Sequence, residues 1–134
     1  MSNIKVIIKK SKTPGKKILV LAGVHGNEVC GLKIVEELIY ELKINVGEII
    51  FIFANLEAIR QNKRFIEYNL NRCFFDNQSN EIKNTLEGRT AREIIPYMKK
   101  ADLLLDVHAS NTKKSVPFII CQPQSFDFAS YLPF

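Results

Sequence analysis

The sequence predicts an α/β fold, a mainly parallel or mixed sheet flanked by helices. Three observations carry that prediction. The apolar runs Ile18-Leu19-Val20-Leu21-Ala22 and Ile49-Ile50-Phe51-Ile52-Phe53 are continuous, as in strands covered on both faces; a strand with one wet face would alternate. Between them, Val29, Leu32, Val35, Leu38, Ile39 and Leu42 recur mostly at steps of three or four, the spacing of a helix with one buried stripe. The order strand, helix, strand, helix, strand is that of layered α/β domains.

Taken in order, residues 4–8 are short and β-branched and read as a strand. Ser11-Lys12-Thr13-Pro14-Gly15 is a turn, with Pro followed by Gly. Residues 17–22 form the first buried strand, residues 28–43 the amphipathic helix, and Asn45-Val46-Gly47 its end. Residues 48–54 form the second buried strand. Residues 55–80 are polar and irregular, with one turn of helix near residues 56–60; a loop of this length inside a domain points to function. Residues 85–100 carry Leu86, Ala91, Ile94, Ile95 and Met98 at helical spacing, and Pro96 should kink that helix or end it early. Residues 102–107 and 116–121 read as two further buried strands. There is no internal repeat or linker, so the chain is read as a single unit. Its last residues, Ser130-Tyr131-Leu132-Pro133-Phe134, are apolar and resemble a cut within a larger fold.

With 134 residues, of which 46% are hydrophobic, the chain can bury a core. The net charge of +5 is modest, and no basic run or basic-aromatic stripe suggests a nucleic-acid partner. Cys30, Cys73 and Cys121 are widely spaced and form no C-x-x-C pair, which speaks against a zinc ribbon or a disulfide framework and for a reducing cytoplasm. The N-terminus lacks the apolar core of a signal peptide, and no apolar stretch approaches the length of a membrane span.

The chemistry-bearing residues are few. The chain has two histidines, and each closes an apolar run: His25 after residues 18–24, His108 after residues 103–107. Ligands of parallel sheets gather at the carboxyl ends of strands. If these two strands are neighbours, both imidazoles reach one rim. Glu28 lies three residues past His25, where the chain turns into the helix, and Gly23 and Gly26 permit a sharp turn there. Two imidazoles and a carboxylate are a three-ligand zinc set that leaves a fourth position for water, whose pKa zinc lowers to about 7. A lone histidine at a strand end is more often a hydrogen-bonded structural residue, and HxxE alone is a common spacing. Asp106, two residues before His108, could orient a histidine or cap backbone amides. Cys30, two past Glu28, reads as small helix packing.

Five ordered motifs make a wider pattern: HGNE after a buried strand (residues 25–28), N-x-x-A (Asn55, Ala58), RF (Arg64, Phe65), LNRxF (residues 70–74) and D-V-H (residues 106–108). Together, over residues 20–110, they resemble the succinylglutamate desuccinylase and aspartoacylase family of the zinc carboxypeptidase-like superfamily. The resemblance implies a zinc-dependent hydrolase acting on the amide bond of a small anionic N-acyl amino acid, with one Zn2+ per chain. It implies His25, Glu28 and His108 as metal ligands. Arg64 is implied as the arginine that polarises the scissile carbonyl, and Asn71 and Arg72 as the pair that grips a substrate carboxylate. A planar guanidinium suits both tasks, binding a carboxylate bidentately and steadying charge that develops in the transition state. Alternatives are a zinc carboxypeptidase acting on peptides, or a non-catalytic zinc- or anion-binding fragment. Two departures stand out: Asn69 replaces the Asp of the family's DLNR, and Leu56 stands where N-P-x-A has proline. The family's general-base glutamate, which lies on a later strand, has no counterpart here. The chain is therefore expected to be the N-terminal portion, residues 1–134, of such a catalytic domain.

Overall fold

The computed structural model describes residues 2–110 and 114–132; Pro133 and Phe134, part of the apolar ending noted above, lie outside the described residues. Its centre is a mixed four-stranded sheet. Strand β2 (Lys17–Ala22) lies between β3 (Glu48–Phe53) and β4 (Leu103–Val107), parallel to both, while β1 (Lys5–Lys10) runs antiparallel along the far side of β3. Ile18 pairs with Leu103 and Ala22 with Val107, so β2 and β4 end at the same rim.

Successive residues of a strand point to opposite faces, and both faces are covered. Val20, Ala22, Phe51 and Phe53 pack with Leu32 and Val35 of helix α1 (Val29–Glu41). Leu19, Leu21, Ile50 and Ile52 pack with Ala91 and Ile94 of a second long helix. Between β3 and that helix run α2 (Leu56–Arg60), a 3-10 turn (Leu70–Arg72) and α3 (Asn80–Asn84); the long helix itself is α4 (Leu86–Met98). Ser79 caps α3 and Thr85 caps α4, each accepting a backbone N–H of the first turn. Helix α3 was not expected from the sequence. α4 ends two residues past Pro96, which sits in its last turn, where the ring's missing N–H and its clash with the preceding turn stop further growth. α1 stops at Glu41, and Lys9 Nζ donates to the carbonyls of Ile39 (2.5 Å) and Leu42 (2.7 Å) at its end.

Two sequence expectations fail. Residues 116–121 are not a strand: they have no ladder partner among the described residues, and Val116 and Ile120 are 77% and 89% exposed. An apolar run becomes a strand only where another strand takes up its N–H and C=O groups. β4 is not covered on both faces either. Among the described residues it pairs only with β2, and Leu104 is 43% exposed on the face that Leu19 shares. The short helix α5 (Phe126–Ala129) follows. On α1 the stripe is narrower than the pattern suggests, with Val29 and Leu38 exposed, and Cys30, read from the sequence as helix packing, is exposed too. No helix among the described residues is long and apolar enough to cross a membrane.

Candidate metal centre

His25 and Glu28 belong to the turn between β2 and α1. Gly23 makes that turn possible with a φ of +69°, a left-handed conformation that side chains disfavour. Gly26 is needed for a different reason: a Cβ there would lie 2.1 Å from the carbonyl carbon of Ala58, so α2 packs directly on the turn. His108 follows β4. Because β4 is the neighbour of β2, the two rings meet, their centroids 5.0 Å apart and their planes tilted by 50°.

Glu28 joins them. His25 Nδ1 lies 2.8 Å from Oε1 and His108 Nδ1 2.9 Å from Oε2, and the Ala109 amide donates to Oε2 at 2.8 Å. Ligand atoms of all three residues lie within 4.8 Å of one another, so the group could hold a metal ion. His25 and Glu28 are buried, while the His108 side chain is 35% exposed. The distal nitrogens are held as well. His25 Nε2 donates to Asn69 Oδ1 at 3.1 Å and His108 Nε2 to Asp106 Oδ2 at 2.8 Å. An acceptor on Nε2 fixes the proton there and leaves the Nδ1 lone pair for a cation. Of the two readings of Asp106, the one in which it orients a histidine matches this contact.

The electrostatics follow from these contacts. Burial alone would raise the Glu28 carboxyl, but the Ala109 amide, the His25 ring and the charge and hydrogen bond of His108 outweigh it and hold it below its usual value. The hydrogen bond that His108 donates to Asp106 pushes its pKa up to about 9, burial opposing and Glu28 assisting.

Arg64 reaches the same carboxylate, its Nη1 3.6 Å from Glu28 Oε1. Its carbonyl accepts from the Gly26 amide at 3.4 Å, joining its loop to the histidine turn. Asn71 and Arg72 come two and three residues after Asn69, in the 3-10 turn that Asn69 caps. Neither side chain makes a hydrogen bond or ion pair among the described residues, and Arg72 is exposed.

Sequence reasoning did not find what holds this loop. Glu87, on the buried face of α4, is 0% exposed and accepts from the backbone N–H groups of Ile66 (2.7 Å), Glu67 (3.2 Å) and Tyr68 (3.1 Å). Asn55 Nδ2 donates to it as well, at 3.2 Å. Asn55 also caps α2 by accepting from the Ala58 amide, so the N-x-x-A motif is the first turn of α2, seated on Gly26. The overlooked signal was position: Glu87, Thr90, Ala91 and Ile94 share one helical stripe, and a carboxylate on an apolar stripe calls for buried donors.

The sequence matches the family described as the succinylglutamate desuccinylase/aspartoacylase catalytic domain over residues 14–132. It is 35% identical to a succinylglutamate desuccinylase of Pseudomonas putida (strain GB-1) over 94 residues, which are 67% of this chain and 28% of that protein. A probable aspartoacylase of Acaryochloris marina is 26% identical over 130 residues, 87% of this chain and 43% of that protein. Among solved structures, a succinylglutamate desuccinylase of Vibrio parahaemolyticus superposes with a TM-score of 0.69 at 25% identity, covering 78% of this chain and 35% of that one. The chain thus spans less than half the length of these relatives. Its matched residues include both histidine turns, the Arg64 loop and strands β2, β3 and β4, and on that ground the chain belongs to the succinylglutamate desuccinylase/aspartoacylase family.

Proposed function

We propose that this chain is the N-terminal, metal-holding portion of a catalytic domain that hydrolyses the amide bond of small anionic N-acyl amino acids, in the cytoplasm. The observation that carries this reading is the convergence of His25, Glu28 and His108 on one point at the sheet rim, with the Arg64 guanidinium beside the same carboxylate. The family and the names of its relatives support the reaction class. Three cysteines without a disulfide among them agree with a reducing compartment.

The donor set fits zinc. Two imidazole nitrogens and a carboxylate suit that ion, and each imidazole has a distal acceptor of the kind that supports metal-bound histidine. His25, Glu28 and His108 would hold it, and bound zinc would supply Lewis acidity toward a carbonyl and toward water. The remaining roles belong to the protein. Arg64 places a fixed cation where the carbonyl oxygen gains charge. Asn71 and Arg72 bind the substrate carboxylate, which a planar guanidinium can grip with two parallel hydrogen bonds. Asn69 and Asp106 orient the rings. The carboxylates in hydrogen-bond contact with the two rings among the described residues, Glu28 and Asp106, are both engaged in holding them. Neither is left to accept the proton in the full reaction, and a second reading, metal and anion binding with little turnover, applies to these residues alone.

Metal analysis of the zinc-incubated chain beside His108→Ala, with a hydrolysis assay on N-acetyl and N-succinyl amino acids, tests both readings. One zinc per chain, lost in the variant, is expected. Retention of stoichiometric zinc by the variant would refute the ligand assignment.

A further inference from the structure

We propose that Glu87 is the positioning residue for the substrate side of the site: its carboxylate, clamped on three consecutive backbone N–H groups, sets where Arg64 and the Asn69–Arg72 turn stand relative to the metal ligands. The inference rests on the reading of Arg64, Asn71 and Arg72 as substrate-facing residues.

Residues 61–69 contain no helix or strand. At their start, the Lys63 amide donates to Ala58 and the Arg64 carbonyl accepts from Gly26. Beyond that point the backbone amides of Ile66, Glu67 and Tyr68 have one partner, Glu87. The clamp lies in the middle of a short stretch whose two ends touch the metal group: Arg64 at Glu28, and Asn69 at His25 Nε2. Glu87 is fully buried in a helix packed on the sheet, and no cation lies within ion-pair distance of it among the described residues. Its charge is balanced by hydrogen bonds alone, three from the loop and one from Asn55, which is what a buried carboxylate requires. The backbone of residues 66–68 is thus tied to the core through Glu87, beside the contact that the Glu67 carboxylate makes with the Leu86 amide at the start of α4.

A carboxylate is specifically needed. Oε1 accepts from Ile66 and Asn55, and Oε2 from Glu67 and Tyr68. Glutamine has the same shape but one acceptor oxygen; in either amide orientation its NH2 group faces two N–H donors. Glu87→Gln therefore removes the clamp without opening a cavity. The metal ligands come from the ends of β2 and β4, outside the clamped residues, so metal uptake should survive.

The test has three measurements on the full chain. Amide hydrogen exchange of the wild type should show Ile66, Glu67 and Tyr68 protected as strongly as β3, despite lying in a loop. Limited trypsin digestion should cleave Glu87→Gln after Arg64 and Arg72 at least tenfold faster than the wild type. Titration of the zinc-loaded chain with N-acetyl-aspartate should show at least tenfold weaker binding in Glu87→Gln, with a smaller loss of zinc affinity, the part that Asn69 contributes through His25 Nε2. Glu87→Asp, which keeps two acceptor oxygens, should recover part of that loss, which a purely steric role would not explain. Exchange of the three amides at free-loop rates, or wild-type cleavage rates in a folded Glu87→Gln, would overturn the proposal. If that variant does not fold, the wild-type exchange rates decide. If wild-type chain fails to bind zinc or the N-acyl probe, the functional reading falls, while exchange and proteolysis still judge the clamp.

Discussion

At the residue scale, a proton competes with the metal for His108. His108 is pushed up to about 9 by Asp106 and Glu28, so at neutral pH its Nδ1 carries a proton that a metal must displace. Zinc uptake at pH 7 should therefore release a proton. The apparent affinity should rise about tenfold per pH unit until pH approaches 9, and proton release measured by calorimetry in buffers of different ionisation enthalpy checks this. The same shift has a consequence for the metal-free fold. A raised folded-state pKa stabilises fully below the ordinary value of 6.5, and that contribution is lost as pH climbs through about 9. Thermal unfolding of metal-free wild type and His108→Gln should therefore differ most below pH 6.5 and converge above pH 9. Asp106 supplies both the proton affinity and the ring orientation. Asp106→Ala should weaken zinc binding by about 10–100-fold, read by competition with a chelating dye. An unchanged affinity would leave Asp106 no part in the site.

At the scale of elements, the turn after β2 and helix α2 form one unit. Asn55 caps α2, Ala58 presses on Gly26, and the Gly26 amide donates to Arg64. Gly26→Ala places a methyl group 2.1 Å from the Ala58 carbonyl carbon, backbone that cannot swing aside. α2 must move, at a cost of about 1–3 kcal/mol as in other overpacked cores, and Arg64 must move with it. Urea unfolding should show that loss, and a wild-type midpoint would mean that the seam is looser than the distances imply. These elements were legible in the sequence to different degrees. The buried strands β2 and β3 declared themselves by continuous apolar runs, and Leu32 and Val35 by helical spacing. The HGNE turn could be read because a histidine at the end of such a run has few neighbours to explain it. Residues 116–121 misled because the same apolar signal marks a strand only when a partner edge exists, and pairing is not written in one segment. Glu87 escaped because its partners are backbone amides some twenty residues away, which have no letter in the sequence.

The whole molecule adds what neither residues nor elements contain, the neighbourhood of strands. His25 and His108 are 83 positions apart by their numbers, and only the order β1-β3-β2-β4 makes them one site. The same order leaves β4 at the border of the sheet, with Leu104 exposed and its outer backbone groups unpaired by any strand among the described residues. Later in the chain, Val116, Phe118, Ile120, Phe126 and Tyr131 are each exposed as well. An open strand edge with apolar groups beside it is a template for association, and a lysine on such an edge opposes it by carrying a charge that pairing would have to bury. The chain should therefore associate as its concentration rises, seen as an increasing weight-average mass in sedimentation equilibrium. Leu104→Lys should shift that rise to higher concentration without lowering the unfolding midpoint, since the side chain it replaces already faces water. A chain that stays monomeric at every concentration, or a variant that associates like the wild type, would show that the border of β4 is not the contact. Zinc should leave the association unchanged, because its ligands lie at the strand ends and the open edge runs along the length of β4.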